Sequence, residues 1–284
     1  MRTKTMLEGY GFLTPWIIGF LIFMVAPLGR SLYYAFQDLR VTSGQLDATF
    51  IGLRHFRFAF TVDVDFLPIV RNTVVEMALQ VPLILIFAMF SALLLNRSFR
   101  GRVFFRGVFF LPVIIAAGST LQNLLDQGAA AAPIFTSWDI VSLLDGYVSP
   151  DLLAPLLAFL DSSMLVMWKA GVPIIILIAG LQTISTSLYE AARCDGATPW
   201  ESFWKITFPM IQPMLLVSTL FCIVDSFTSV NNEMMQYIYT RIFVTINYGY
   251  ASAIGWIYFI LIFLVIGFVL LLFRNTSAMR HERR

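Results

Sequence analysis

The sequence predicts an all-α integral membrane protein: six transmembrane helices, with one folded polar loop between the fourth and the fifth. Three observations carry this. Apolar residues make up 58% of the 284-residue chain and charged residues only 13%, with a mean hydropathy of +0.79. A soluble domain carries about a quarter charged residues. Six segments are long and apolar enough to cross roughly 30 Å of hydrocarbon as helices. The basic residues also divide unequally between the two sets of segment ends.

The first segment, Phe12–Tyr34, follows Arg2 and Lys4 and superficially suggests a signal peptide. Its length and the lack of a small-x-small site after it favour an uncleaved span. The others are Thr73–Leu95, Phe104–Asn123, Met164–Gln182, Phe208–Phe227 and Ala251–Phe273. Pro27, Pro82, Pro112 and Pro173 fall inside spans, which membrane helices tolerate when neighbours satisfy the freed backbone groups. With no internal repeat and no low-complexity stretch, residues 1–284 read as a single transmembrane domain. The 27 Phe, 10 Tyr and 6 Trp suit lipid-facing bulk and interfacial anchoring. Cys194 and Cys222 fall in a polar loop and a greasy segment, so no disulfide or metal site is expected.

Orientation follows from Lys and Arg. One set of ends holds Arg2 and Lys4, then Arg97, Arg100, Arg102 and Arg106, then Arg193 and Lys205, then Arg274, Arg280, Arg283 and Arg284, most of the 19 basic residues. The opposite side holds fewer, and its long loop from Leu125 to Ser163 carries Asp126, Asp139, Asp145, Asp151 and Asp161 with no Lys or Arg. The positive-inside rule places both termini and the loop at 187–209 in the cytoplasm.

That loop reads SLYEAARCDGATPWESFWKITFP. Ser187 followed by Glu190 suggests a capping box, and Gly196 a left-handed stop. Thr198-Pro199-Trp200-Glu201 repeats the start signal with proline at the first helical position. Trp200, Phe203, Trp204 and Phe208 then form one face toward the interface or the membrane core, unless the whole stretch is only a surface-lying connector. Ala191, Ala192, Gly196 and Ala197 argue for contact with another protein, because small residues let a partner approach closely.

The run closely resembles the EAA loop of ABC importer permeases. Glu190-Ala191-Ala192, Asp195-Gly196-Ala197 and Ile206-Thr207-Phe208-Pro209 match E-A-A, D-G-A and I-x-L-P at the family's spacing, with phenylalanine at 208 where leucine is typical. Residues 71–74, 100–115, 168–184 and 248–259 also look like permeases for sugars and sugar-like solutes, whereas Ser229 to Gln236 departs from the usual Gly-Gly-Pro pattern. The resemblance implies six spans in a bacterial cytoplasmic membrane. It implies as partners a second permease subunit, two ATPase subunits, an extracytoplasmic solute-binding protein and membrane lipid, but no nucleic acid. It assigns ATPase coupling to Glu190, Ala191, Ala192, Asp195, Gly196 and Ala197, and leaves ATP and Mg with the partner ATPase, so this chain binds no cofactor.

Intramembrane ionisable groups are functional candidates because each is costly in lipid unless paired or wet. Glu76, Lys169 and Asp225 lie roughly 7–10 Å inward from their outer ends at about 1.5 Å per residue. With Gln80, Gln122, Asn231 and Asn232 they form a candidate solute pathway. Two readings stand: a Lys–carboxylate pair that fixes helix packing, or a polar vestibule for a hydroxyl-rich solute. Tyr237, Tyr239, Tyr248 and Tyr250 suit either sugar stacking or interfacial anchoring.

An enzyme is disfavoured. The chain has no H-E-x-x-H, no Gly-x-x-x-x-Gly-Lys-Ser/Thr loop, and its two histidines lie outside the spans. The expectation is a carbohydrate importer permease, with a glycerol phosphate ester or modified sugar as the alternative solute. An ion-driven secondary transporter would keep its coupling residues nearer the midplane.

Overall fold

The computed structural model describes residues 12–42, 45–97, 100, 101, 104, 107 and 166–281. Nearly all of the expected third span Phe104–Asn123, Gln122 within it, and the acidic loop after it lie outside the described residues, as do Arg2, Lys4, Arg283 and Arg284.

Helix α1 covers Phe12–Ala35 and contains a π-helical turn at Leu21–Val25. The cause is local. An interior proline clashes with the carbonyl four residues before it and cannot donate to it. For Pro27 that residue is Phe23, the middle of the π turn, and the next amide, that of Ala26, reaches back five residues to Leu21. The widened turn moves the obstructing carbonyl aside.

An antiparallel hairpin follows, with β1 at Gln37–Thr42 and β2 at Gln45–Phe50, paired from Gln37↔Phe50 to Thr42↔Gln45. The Ile51 amide donates to the Phe36 carbonyl at 2.9 Å and closes its base. This corrects the all-α expectation. Leu39 and Val41 on one strand, Leu46 and Ala48 on the other, with Ser43-Gly44 between, carry the period-two alternation and turn residues of a hairpin.

Helix α2 spans Arg54–Thr61 and α3 spans Phe66–Asn96. The latter starts well before the expected Thr73 because Asp63 Oδ1 accepts from the amides of Asp65 and Phe66 at 3.1 and 3.3 Å, capping the chain there. Helix α4 covers Gly171–Gln182 and α5 covers Thr186–Cys194, bent 65° apart. Then come α6 at Pro199–Ser202, a second π turn at Phe203–Thr207 and α7 at Phe208–Thr228. The geometry at Pro27 repeats here: four residues before Pro209 is Lys205, again mid-turn, and the Phe208 amide reaches back to Phe203. Helices α8, Glu233–Phe243, and α9, Tyr248–His281, complete the described chain.

Among the described residues, four helical stretches can cross a membrane by length and composition: Phe12–Ala35, Phe66–Asn96, Pro199–Phe243 and Tyr248–Arg274. The bent α4–α5 pair makes a fifth if counted as one span. Helix α3 shows why lipid is the expected surroundings. Met77, Val81, Ile84, Ala88 and Ala92 form a buried stripe, yet the opposite stripe of Leu79, Leu83, Ile86 and Phe90 is equally apolar and exposed. A helix apolar on all sides belongs in a core or in a membrane.

The chain forms two compact units, Met1–Val75 with Phe227–Leu272, and Glu76–Ser226 with Phe273–Arg284. In the first, Phe66, Phe227, Met234, Tyr250 and Ile254 are buried, and the Tyr258 hydroxyl donates to the Phe227 carbonyl at 2.8 Å. In the second, Ile174, Leu177, Ile211 and Ile223 are buried, and Gly180 sits against Met214 and Ile211.

Candidate functional site

The loop at 187–209 is two short helices around a glycine corner. Helix α5 begins at Thr186, so its cap position is Ser185, which has extended backbone (φ −63°, ψ 134°). The expected Ser187–Glu190 box does not form. Ser187 already lies in the first helical turn, and its hydroxyl pairs with that of Ser185 at 2.7 Å. Glu190 is left exposed, with its carboxylate free of a capping duty.

The corner itself agrees with the sequence. Gly196 has φ +79°, its amide donates to the Arg193 carbonyl at 3.0 Å, and the Ala197 amide donates to the Ala192 carbonyl at 2.9 Å. These two bonds are a Schellman motif, which satisfies the last carbonyls of α5 and needs a residue tolerant of left-handed backbone. No described residue lies within 4 Å of where a Gly196 Cβ would be. Glycine is required here by its backbone and not by crowding within this chain. Asp195 occupies the C-cap, exposed, and Thr198 forms a full capping box with Glu201, whose carboxylate accepts from the Thr198 amide at 2.9 Å. The surface so presented is Glu190, Ala191, Asp195 and Gly196, exposed, with Ala192 and Ala197 half-buried beneath.

Beyond the corner the aromatic rings pack on one another. Trp200 meets Trp204 edge-on at 5.6 Å, Phe203 meets Trp204 at 5.0 Å, and Trp204 meets Phe208 at 5.1 Å. Both tryptophans remain exposed.

The intramembrane polar residues form a relay. The Lys169 ammonium donates to Gln80 Oε1 at 3.4 Å, and the Gln80 amide donates to Glu76 Oε1 at 2.6 Å. Lys169 thus reaches a carboxylate through Gln80, one helical turn from Glu76 on the same face of α3. Asp225 of α7 is half-buried. Asn231 is exposed, whereas Asn232 is buried at the start of α8. The Asn232 Oδ1 accepts from the amides of Met234 and Met235 at 2.9 and 3.2 Å and from the Tyr258 hydroxyl at 3.1 Å. Its geometry is that of a helix cap.

Sequence reasoning missed a second cluster, centred on Asp63. Its side chain is only 3% exposed, and the hydroxyls of Tyr237 and Tyr250 both donate to its Oδ2. The Arg241 guanidinium stands 3.5 Å from the same oxygen, donates to the Tyr237 hydroxyl and lies over the Tyr237 ring at 4.7 Å. Burial alone would raise the Asp63 pKa. The two phenols, the Asp65 amide and the Arg241 charge outweigh it and hold the carboxyl below its ordinary range. Tyr237 and Tyr250 are therefore occupied, while Tyr239 and Tyr248 remain exposed. No sequence signal marks this site, since its partners lie 174 and 187 positions from Asp63.

No family model matches the chain. Among individual proteins, it is 30% identical to a "Probable ABC transporter permease protein YesP" of Bacillus subtilis, across 98% of this chain and 93% of that one. It is 25% identical to the multiple sugar-binding transport system permease MsmF of Streptococcus mutans, over 90% and 92% of the two chains. The sn-glycerol-3-phosphate transport system permease UgpA of Brucella abortus matches at 29% identity over 86% and 87%. Among solved structures, a bacterial ABC transporter for import of the acidic polysaccharide alginate superposes with a TM-score of 0.68 at 21% identity, covering 96% of this chain and 97% of that one. Matched over nearly its whole length at 30% identity, this apolar, multi-helix chain belongs to the ABC transporter permease family.

Proposed function

We propose that the chain is the membrane-spanning subunit of a binding-protein-dependent importer for a sugar, an oligosaccharide above all. In this reading it has six spans in the cytoplasmic membrane, with both termini inside. It works beside a second permease subunit and two ATPase subunits that hold ATP and Mg, and an extracytoplasmic protein delivers the solute. Lys169, Gln80, Glu76 and Asp225 line the route by which the solute leaves that protein.

The observation that carries the reading is the Gly196 corner. A permease without a phosphate-cradling loop needs a rigid part that receives motion from an ATPase. Two capped helices, joined by a Schellman turn, are held to that shape by their own backbone. The exposed small residues at the bend leave room for a partner, and the carboxylates of Glu190 and Asp195 suit basic groups on it.

The test is co-purification of an ATPase subunit together with solute uptake, for Gly196→Asp and Glu190→Ala. Aspartate at Gly196 incurs a left-handed penalty of about 1 kcal/mol and adds bulk where the partner must approach. Insertion should survive, while ATPase recovery and uptake fall together. Normal recovery and transport in both variants would make the loop a plain connector. Uptake of labelled arabino- or malto-oligosaccharide against glycerol-3-phosphate separates the two solute classes. The phosphate ester is the second reading, because the relatedness to UgpA is as high as to the sugar permease.

A further inference from the structure

Tyr189 lies one residue before Glu190 on α5 and is half-buried. Its hydroxyl is 2.8 Å from Oγ1 of Thr207, the last residue of the second π turn, which is buried. The Thr207 hydroxyl also lies 3.5 Å from the Ser202 carbonyl, five residues back. In the Tyr189–Thr207 pair either hydroxyl can donate. This bond ties the helix before the glycine corner to the turn that feeds α7, across 18 residues of chain.

The placement has a mechanical meaning. Between α5 and α7 the chain contains the Gly196 corner and the π turn at Phe203–Thr207. Capping bonds on both sides stiffen the corner. The π turn is the softer joint, since proline removes a donor just beyond it and its ladder is out of α register. A displacement of α5 would be absorbed there unless something closes the triangle α5–α6–α7. The Tyr189–Thr207 bond closes it.

We propose that Tyr189 is a positioning residue for energy coupling: it braces α5 against the start of α7, so that motion imposed on the loop is delivered to the span. The proposal rests on the reading of 187–209 as the ATPase contact, and it assigns a role to a side chain that faces inward, away from that contact. Tyr189 therefore governs transmission, whereas Gly196 and Glu190 govern docking.

The experiment is reconstitution of the purified importer with its ATPase and binding protein, measuring solute moved per ATP hydrolysed for Tyr189→Phe, Thr207→Val, Thr207→Ser and the Phe/Val double variant. Removing one hydrogen bond shifts a two-state balance by about fivefold. Tyr189→Phe and Thr207→Val should retain ATPase in the preparation and keep hydrolysing, yet transport roughly fivefold less solute per ATP. Thr207→Ser, which keeps the hydroxyl, should restore the ratio, and the double variant should be no worse than either single one. Should Tyr189→Phe fail to accumulate, the Thr207→Ser and Thr207→Val pair decides the same question. A wild-type ratio in Tyr189→Phe, loss of ATPase from it, or failure of Thr207→Ser to rescue overturns the brace alone. Absence of any ATPase from the wild-type preparation overturns the brace and the importer reading together.

Discussion

Gly249 offers a sharp test of how tightly the first unit is packed. A Cβ there would lie 2.2 Å from the Gln37 carbonyl oxygen, 2.7 Å from His55 Nε2 and 3.3 Å from His55 Cδ2. The same carbonyl and the same ring nitrogen are hydrogen-bonded at 3.0 Å, so the methyl group would wedge that bond open. The first obstacle is backbone at the base of the hairpin and cannot rotate away. Overpacking costs about 1–3 kcal/mol and the lost bond about 1 kcal/mol. Replacing glycine by alanine in a helix returns up to about 1 kcal/mol, though less at the second residue of α9. Gly249→Ala should therefore destabilise by about 1–3 kcal/mol, which lowers the melting midpoint by roughly 2–5 °C in a chain of this size. Gly180→Ala is the control. Its Cβ would meet Met214 Cγ at 2.6 Å and Ile211 Cγ1 at 3.2 Å, both on side chains, one of them a pliant thioether. It should cost less than Gly249→Ala. The assay is thermal unfolding of the purified protein in detergent, followed by thiol-reactive dye or by retention on a sizing column. A Gly249→Ala protein melting at or above the wild-type midpoint would refute the packing argument.

Two further outcomes are expected. A membrane-impermeant thiol reagent should label exposed Cys194 only in inside-out vesicles, and buried Cys222 poorly from either side; labelling of Cys194 on intact cells would reverse the orientation. Asp63→Asn should lower the melting midpoint at pH 7, because two phenols and Arg241 lose an anionic acceptor, at about 1–3 kcal/mol. Since the folded carboxyl is held below its ordinary 3.8, its contribution is fully present above that value and fades as the pH falls toward and through the depressed one. The wild type should lose its advantage over Asp63→Asn on acidification below about pH 4, and an advantage that persisted or grew there would contradict the sign.

Legibility in the sequence followed the range of the forces involved. Hydropathy marked Phe12–Tyr34, Thr73–Leu95 and Ala251–Phe273, which fall inside the helices Phe12–Ala35, Phe66–Asn96 and Tyr248–Arg274, because burial in lipid acts on every residue of a run. The Gly196 stop and the Thr198 cap were readable because each is completed within six residues. Ser187 misled because two serines compete for one cap, and only the backbone at Ser185 decides between them. The hairpin at 37–50 had a signal, alternation around Ser-Gly, but it was muted by long apolar neighbours. Asp63 had none: its acceptor role depends on Tyr237 and Tyr250, brought in by tertiary packing. Asn232 looked like a polar group for a solute because its cap acts on the two amides just after it, a use that composition alone does not distinguish.

The π turn at Phe203–Thr207 also resets the angular frame of everything after it. One extra residue in a turn amounts to about 100° of rotation around the helix axis. A helical wheel drawn straight through 199–228 therefore assigns the wrong azimuth either to Trp200 or to the residues of α7, and the face inferred for Trp200, Phe203, Trp204 and Phe208 is no continuous α-helical stripe. The aromatic cluster exists because the rings converge across an irregular turn. Deleting a single residue between Phe203 and Thr207 would remove the residue that the π turn absorbs, so the chain would run as ordinary α-helix with the azimuth of α7 kept, whereas a straight wheel would wrongly expect a rotation of about 100°.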